Sequence, residues 1–443
     1  MPVAYRMAAS PLSVEKGHGS RIGRATVSLA LIAFLALVSL VSYRGIGNLN
    51  VPGHPDASHW VLQDFRDTVY FPAVAFLEGR NPYDAGTFVD QYPVWRPLPL
   101  YLPVNLLIHL PFGFLPFESA ELAYYVLTLL LTIALAYLSL RLCGLPARLS
   151  HVFGLAALIV LSRPGHMNLL LGQVTLQCVI ATYVALHYAR SRSWLAGLGL
   201  AVSTFKPTFG IPLAVLMLCR RDMRAVVTGV VLAAMLSGAV AGILAHAAGG
   251  VEPLVASMLT SHQGFADQQF NDPVFGPFRI DTPALVARLL GANPGALAEV
   301  AIGLAVLSIG AFGVWRVAGN KGEETGLRPL SATLICITML ACTYHQTYDW
   351  LLLTLPLTAL AADRWVPRHS TQPALRWLLL GVLSLPALNY LATATAIDRL
   401  GLQTGWRLVV TSLNAGVLLI AFAAYVALAL HSQPVSTARP VRS

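Results

Sequence analysis

Long runs of apolar residues alternate with short polar segments along most of the chain. A helix that crosses a bilayer needs about 20 consecutive apolar residues, because the hydrocarbon core is about 30 Å thick. About twelve runs approach this length by apolar content, and the pattern therefore predicts an all-α polytopic membrane protein with about twelve transmembrane helices. These runs lie near residues 25–44, 119–141, 151–163, 168–189, 195–204, 208–219, 225–247, 295–316, 329–345, 349–363, 375–392 and 408–430.

The first run is expected to remain in the mature protein as a membrane anchor. It is about 20 residues long, a polar lead precedes it, and no small-residue cleavage site follows it, unlike a signal peptide. The segments 45–118 and 248–294 are long enough to be functional loops. The predicted organisation is a tail at 1–24, a multispanning domain at 25–430 and a second tail at 431–443.

Composition supports the membrane class. The chain of 443 residues is 56% hydrophobic and 11% charged, whereas soluble domains have about 25% charged residues. Ordinary soluble enzymes and disordered proteins are therefore excluded. The net charge of +9 does not indicate a nucleic-acid partner, because the basic residues sit in short loops between apolar runs. The cysteines show neither metal spacing nor a disulfide framework, and we interpret them as small apolar residues: Cys143, Cys178, Cys219, Cys336 and Cys342.

The distribution of charge predicts the orientation. With a cytoplasmic N-terminus and strict alternation, the cytoplasmic segments hold 19 of the 29 Lys and Arg residues but 5 of the 20 Asp and Glu residues. They carry +14, and the remainder of the chain carries −5, which together give the net +9. This asymmetry follows the positive-inside rule. We therefore predict that both tails are cytoplasmic and that the two long loops lie outside.

Two of the runs are too short to cross a membrane and end at turn signals. Residues 151–163 end at Ser162-Arg163-Pro164-Gly165, and residues 195–204 end at Thr204-Phe205-Lys206-Pro207. Non-helical backbone at membrane depth is tolerated only where it is buried in protein or lines a cavity. A basic residue at such a turn is a functional candidate. The alternative is that Arg163 and Lys206 snorkel to the outer headgroups.

The outer loops carry helix signals of their own. A helix is predicted to begin at Asp64 and to be disturbed by Pro72, which lacks a backbone N–H. Residues 98–115 are apolar but contain three prolines, which favours a segment at the membrane surface. Thr282-Pro283 predicts an N-cap followed by proline at the first helical position, opening an amphipathic helix that contains Arg288.

Four motifs follow one another along the chain. They are Asp64-Phe65, Gly79-Arg80-Asn81-Pro82-Tyr83-Asp84, Gly172-Gln173, and Lys206-Pro207 followed by an apolar run and Arg220-Arg221. With these motifs the chain, from about residue 25 to about residue 430, resembles glycosyltransferase family 87. That family comprises polyprenol-phosphate-mannose-dependent mannosyltransferases of the GT-C superfamily. The resemblance implies a GT-C-type fold, a lipid-linked sugar phosphate as donor, and an acidic residue of the first outer loop as catalytic base.

This chain departs from the family at the candidate base. The family's segment usually has one acidic residue ahead of its aromatic pair, whereas Asp64 and Asp67 both stand here. A general base that takes the proton of the acceptor hydroxyl contributes typically about 10²–10⁴-fold. The alternative is that both carboxylates only stabilise the start of a helix. We predict Asp64 as the base, because its distance to the Gly79 turn fits the family better, with Asp67 second.

Cationic groups near the loops are candidates for stabilising the departing phosphate. The predicted donor-phosphate residues are Lys206, Arg163, Arg66 and Arg279. The predicted sugar- or acceptor-binding residues are His345, Gln173, Tyr348, Asp349 and Tyr70. For the segment 344–350 the alternative is an interfacial aromatic belt. No cofactor and no metal site are predicted, because His54 and His59 near Asp56 make a weak ligand set.

The sequence therefore predicts an inverting membrane glycosyltransferase that acts on the outer face. The expected donor is a polyprenyl-phosphate sugar, with mannose as the predicted sugar, and the expected acceptor is a lipid-linked or cell-envelope glycan. Membrane lipids are the other expected partners, and the predicted location is a bacterial plasma membrane. The alternative from another class is a transporter or flippase of lipid-linked sugars, which the two broken hairpins favour.

Overall fold

Helices make up nearly the whole of the structure, which is a computed structural model that describes residues 19–47, 62–318, 329–364 and 373–431. No β-strand occurs among these residues, and one isolated antiparallel bridge joins Arg279 to Gln346. The prediction of an all-α polytopic protein is confirmed. Most of the predicted tails, together with His54, Asp56 and His59, lies outside the described residues.

The helices follow one another with short connections. They are α1 (Gly19–Gly47), α2 (Gln63–Phe65), α3 (Phe71–Leu77), α4 (Ala85–Gln91), α5 (Val104–Gly113), α6 (Phe117–Leu142), α7 (Leu149–Leu161), α8 (Arg163–Leu171), α9 (Thr175–Tyr188), α10 (Ser193–Ser203), α11 (Pro207–Cys219), α12 (Met223–Ala247), α13 (Val251–Ala266), α14 (Thr282–Leu290), α15 (Ala296–Ala318), α16 (Pro329–Cys342), α17 (Thr354–Ala361), α18 (Pro373–Leu388), α19 (Ala394–Arg399) and α20 (Thr404–His431). A π-helical turn, Arg66–Tyr70, joins α2 to α3, and 3₁₀ turns lie at Gln269–Asn271, Thr347–Leu353 and Tyr390–Ala392.

Six helices of the described part are long and apolar enough to cross a membrane, and they lie in α1, α6, α12, α15, α18 and α20. A seventh span results if α7 and α8, which meet at 80°, count as one. The sequence pattern predicted about twelve. The other apolar runs form shorter helices. Some of these are apolar because they are buried inside the protein. In α16, for example, every residue from Leu330 to Cys342 is buried inside the protein, and a helix buried in protein is as apolar as one buried in lipid.

The two short hairpins occur where the sequence predicts them. The turn between α7 and α8 is capped by Ser162, whose hydroxyl accepts a hydrogen bond from Gly165 N at 3.2 Å. Lys206 has an extended backbone at the start of α11, because the residue before a proline is kept out of the helical region. Arg163 is fully buried and Lys206 is 4% exposed. The alternative in which these side chains snorkel to headgroups is therefore wrong.

The loop predictions need two adjustments. The predicted helix begins at Gln63, and its disturbance takes the form of the π-helical turn just before Pro72. The N-cap of α14 is Asp281 and not Thr282, because the Asp281 carboxylate accepts from Ala284 N at 3.0 Å. Within residues 98–115, α5 buries Val104, Asn105, Leu106 and His109 inside the protein.

Close packing of α15 against α16 depends on Gly310. A Cβ atom at this position would lie 2.9 Å from Cβ of Thr338, so Gly310→Ala should lower the free energy of unfolding by about 1–3 kcal/mol through overpacking. Gly238 on α12 is the matched control, because a Cβ atom there meets nothing within 4 Å. Gly238→Ala should be neutral or stabilising by up to about 1 kcal/mol, as alanine favours helices over glycine. Thermal unfolding of both variants in detergent measures the difference, and equal midpoints would contradict this packing.

Candidate active site

The segment between α1 and α6 enters the site through a tight contact with the end of α8. Leu62 has a left-handed backbone (φ 54°), and its N–H donates to Leu170 O at 2.9 Å. Gly172 ends α8 in the left-handed region (φ 68°), where a Cβ atom would lie 2.9 Å from Cβ of Phe65. Glycine is therefore required at position 172 for both conformation and space. This contact places Gln173 beside the start of the loop helix.

Asp64 lies in this contact and is almost completely buried. One of its carboxylate oxygens pairs with the guanidinium of Arg96, and the other accepts a hydrogen bond from the side-chain amide of Gln173. The carboxylate therefore joins the first outer loop to the α8–α9 junction. A charge removed from water persists in a protein only when it is paired in this way.

Asp67 lies one turn further and is fully buried. Its Oδ1 accepts from Nε of Arg66 at 3.3 Å and from the backbone N–H of Trp95 at 3.1 Å. Its Oδ2 lies 3.7 Å from Nε of Arg96. Burial raises the pKa of Asp67 from 3.8 to about 7, although Arg66 and the Trp95 N–H oppose this rise. Near neutral pH both the protonated and the ionised form of Asp67 are therefore populated.

Arg96 connects both carboxylates to the segment that contains α13. Its guanidinium carbon lies 5.3 Å from the ring centre of Phe265 and 5.3 Å from that of Phe270. Cation–π contacts of a desolvated guanidinium are worth about 2 kcal/mol. The segment around Arg96 is thus held by Asp64 and Asp67 on one side and by two aromatic rings on the other.

A third buried carboxylate, Asp349, is the third residue of the 3₁₀ turn Thr347–Leu353. Its Oδ1 accepts from Nζ of Lys206 at 2.6 Å and from the Thr175 hydroxyl at 2.8 Å. Its Oδ2 accepts from Nδ1 of His345 at 2.9 Å and from Gln346 N at 3.1 Å. Burial alone would raise the pKa of Asp349, but Lys206 and His345 outweigh it and hold the pKa well below its ordinary range. Asp349 is therefore an anion at neutral pH.

The group around Asp349 also fixes two side chains of candidate function. The Lys206 ammonium stands 5.0 Å from the ring centre of Tyr348 and 5.1 Å from that of Phe209. The Nε2 atom of His345 lies 3.2 Å from the carbonyl oxygen of Thr208. Both side chains are thereby anchored between α11 and the 3₁₀ turn.

Three tyrosines, Tyr101, Tyr344 and Tyr348, each lie within electrostatic reach of both Arg96 and Asp349. The two groups together contain three basic side chains (Arg66, Arg96, Lys206) and three acidic ones (Asp64, Asp67, Asp349).

Several predicted site residues are thus brought together, whereas others have separate partners. Arg279 forms a two-point ion pair with Asp281 and a further one with Glu299 at 2.9 Å. Arg163 donates to the carbonyl oxygens of Asn389 and Ala392 at the end of α18, at 3.1 and 2.8 Å.

Tyr70 donates to Leu115 O at 2.9 Å and packs against Phe117. Its hydroxyl is therefore engaged by the backbone that leads into α6.

Among the described residues, no three His, Cys, Asp or Glu side chains cluster as metal ligands.

Sequence reasoning missed Arg96 and Thr175. Arg96 stands in Trp95-Arg96-Pro97, where a lone basic residue in a proline-rich loop gives no periodic signal. Its partners are brought to it only by the tertiary fold. Thr175 follows Gln173 at the start of α9 and resembles an ordinary helix-start residue. Its position two residues after Gln173, in a motif already assigned to the site, was the one local indication that it belongs there.

The comparisons with known proteins give one match. The model of glycosyltransferase family 87 matches residues 100–343, which is more than half of the chain. The matched range includes Gln173 and Lys206, and it ends two residues before His345. Neither the curated proteins nor the solved structures gave a match.

Asp67→Asn should change how stability depends on pH. In the wild type the unfolded chain ionises Asp67 near pH 3.8, while the folded chain keeps the proton until about pH 7. The protonated group therefore favours the folded state below about pH 4, and this contribution is lost as the pH rises to about 7. Asparagine cannot ionise, so the variant should gain thermal stability relative to the wild type between about pH 4 and about pH 7. Exposed Asp90 supplies the control variant Asp90→Asn, and a pH-independent difference for Asp67→Asn would refute the shifted titration.

Proposed function

Because the chain belongs to glycosyltransferase family 87, it is a membrane glycosyltransferase, and we propose that it transfers mannose from a polyprenyl-phosphate donor. The acceptor is a lipid-linked or cell-envelope glycan on the outer face of a bacterial plasma membrane. The division of charge in the sequence, with both tails cytoplasmic, supports this side of the membrane. The observation that carries the proposal is the junction at Asp64, where the first outer loop meets Gln173.

The proposed reaction is a single displacement at the anomeric carbon. Asp64 takes the proton of the acceptor hydroxyl as its oxygen bonds to that carbon. The bond from the anomeric carbon to the phosphate oxygen breaks, and polyprenyl phosphate departs with the electron pair. Attack opposite the leaving group inverts the anomeric configuration. No acid is needed for the leaving group, because a phosphate departs as a stable anion.

Asp64 suits the role of base better than Asp67 for a geometric reason. Its carboxylate lies where the loop meets the α8–α9 junction, and Gln173 and Arg96 orient both oxygens. Entry of an acceptor hydroxyl would replace one of these contacts. Asp67 is fully buried and holds the backbone of Trp95, which supports a role in positioning Arg96. Its pKa of about 7 is the argument for the alternative assignment, since a base works best when its pKa is near the operating pH.

Lys206 is the proposed partner of the donor phosphate. An ammonium group has three N–H donors, and Asp349 takes one of them while the ring faces of Tyr348 and Phe209 lie alongside. Arg66 is the proposed second cation, because its Nη1 atom is buried without a hydrogen-bond partner among the described residues. Arg163 and Arg279 support the fold around the site, since backbone carbonyls and carboxylates already occupy them.

The sugar is proposed to lie between the two carboxylate groups. Tyr348 and His345 are the proposed sugar contacts beside Asp349, and Gln173 is the proposed contact beside Asp64. Asp349 accepts four hydrogen bonds already, so its proposed role is to hold Lys206 and His345 in place.

The alternative function, transport of lipid-linked sugars, rests on one observation, the 80° bend between α7 and α8. Broken helices are typical of transporters. They also suit an enzyme in which non-helical backbone lines a buried site. Uptake of a polyprenyl-phosphate sugar into proteoliposomes without glycoside formation would favour transport.

Asp64→Asn should lower the rate of transfer from polyprenyl-phosphate mannose by about 10²–10⁴-fold, because the general base is lost. Asp67→Asn should lower it by about tenfold or less, because Asp67 positions Arg96 and does not take the proton. Asp90→Asn, an exposed carboxylate on α4, should match the wild type. Labelled donor and a cell-envelope lipid extract provide the assay. A larger loss of rate in Asp67→Asn than in Asp64→Asn would identify Asp67 as the base. Full activity in both variants would refute catalysis by either carboxylate.

Lys206→Gln should weaken inhibition by the product polyprenyl phosphate and reduce turnover by about 10²–10³-fold, the effect typical of losing one group that stabilises developing charge. Lys206→Arg retains the cation and should recover part of both. Unchanged product inhibition in folded Lys206→Gln protein would show that the phosphate binds elsewhere.

A further inference from the structure

A cavity of about 440 Å³ lies apart from the two buried carboxylate groups. Its walls are the turn after α3, the outer side of α4, and the junction of α12 with α13. Pockets that bind small organic ligands have volumes of about 300–1,000 Å³, so the space is large enough for one. None of the roles proposed above uses it.

The motif Gly79-Arg80-Asn81-Pro82-Tyr83-Asp84 builds one wall of this cavity. Gly79 adopts the left-handed region (φ 72°) that ends α3, and Arg80 N donates to Ala75 O at 2.8 Å. Tyr83 is fully buried, with its hydroxyl donating to Tyr101 O at 2.6 Å. Gly79 and Tyr83 thus fix the turn. Arg80 and Asn81, which lie between them, and Asp84, which follows Tyr83, line the cavity.

The lining has the chemistry of a site for a neutral polyol. It presents the side-chain amides of Asn81 and Gln91, the carboxylate of Asp84 and the hydroxyl of Thr87, next to the ring of Tyr92. Amides and hydroxyls both donate and accept hydrogen bonds, as the hydroxyl groups of a sugar do. The Tyr92 ring adds apolar surface to the wall, and the Arg80 guanidinium carbon lies 5.9 Å from its centre.

The charge of the lining argues against an anion. Arg80 is the one basic residue in the wall, and it pairs with Glu78 at 3.5 Å and bonds to Gln91. Asp84 adds a further negative charge. A phosphate would meet one partly neutralised cation and be repelled by the Asp84 carboxylate, whereas that carboxylate can accept hydrogen bonds from the hydroxyl groups of a neutral sugar.

Two segments connect the cavity to the site. Helical backbone leads from Asp67 to the turn at Gly79, a distance of about 18 Å at 1.5 Å per residue. On the return path Tyr92 lines the cavity, and Trp95, three residues later, donates its N–H to Asp67. A ligand that reaches from the carboxylates to the cavity must therefore span about 18 Å.

We propose that this cavity, built by the Gly79–Asp84 motif, α4 and the start of α13, is a glycan subsite that binds a neutral sugar unit of the acceptor remote from the reacting hydroxyl. The subsite rests on the proposed transfer reaction, because it takes the glycan to be the acceptor. It selects acceptors that already carry at least one sugar beyond the one that reacts.

Two tryptophan variants on α13 test the subsite. Ser257 lines the cavity, so Ser257→Trp should fill it. Val255 on the same helix is 48% exposed and does not line the cavity, which makes Val255→Trp the matched control. Saturation-transfer NMR with mannobiose on the full chain in nanodiscs measures binding without donor and without turnover. The wild type and Val255→Trp should give the signal, and Ser257→Trp should lose it.

A kinetic readout separates the subsite from the transfer reaction. Ser257→Trp should raise KM for a glycosylated acceptor by at least about tenfold and leave KM for the donor unchanged. Thr87→Val, which removes one hydroxyl, should raise the acceptor KM by a few-fold. Equal mannobiose signals from the two tryptophan variants would overturn the subsite, as would displacement of mannobiose by inorganic phosphate. If neither the wild type nor any variant transfers sugar but mannobiose binding still depends on Ser257, the proposed transfer reaction is wrong and the proposed binding site is supported.

Discussion

Four donors converge on the buried carboxylate of Asp349, and they come from different parts of the chain. Thr175 begins α9, Lys206 ends the α10–α11 turn, and His345 and Gln346 precede the 3₁₀ turn. A buried anion is stable only if its partners satisfy it, so folding must bring these segments to one point. Loss of one partner from a buried pair costs about 3–5 kcal/mol. The turn between α10 and α11 and the position of Lys206 depend on this requirement.

The same constraint operates in the segment before α6 and in the segment between α12 and α15. Asp64 and Asp67 share Arg96, whose other face lies against Phe265 and Phe270. The two segments are therefore joined across a buried charged centre. Glycosyl transfer requires that water be kept from the reacting groups, because water would compete with the acceptor hydroxyl.

Much of this arrangement could be predicted from sequence, and the failures have physical causes. Proline and glycine residues predicted the turns at Arg163 and Lys206 correctly, because proline and glycine determine the backbone conformation locally. The number of spans was overestimated, since helices such as α16 are apolar through burial in protein. The cap of α14 was placed one residue late, as Asp281 and Thr282 are both good caps. Arg96 was missed because its partners Asp64 and Phe265 are distant in sequence, and pairing of that kind leaves no local pattern.

We propose that the Asp64 junction and the Lys206–Asp349 pair form one site for a lipid-linked phosphate. A structure of the protein in nanodiscs with bound polyprenyl phosphate would locate that phosphate. Phosphate oxygens are expected within hydrogen-bond distance of Lys206, on the side of the site where Asp64 lies. A phosphate bound at Arg163 or Arg279, with Lys206 still paired to Asp349 alone, would show that the two groups do not form one phosphate site.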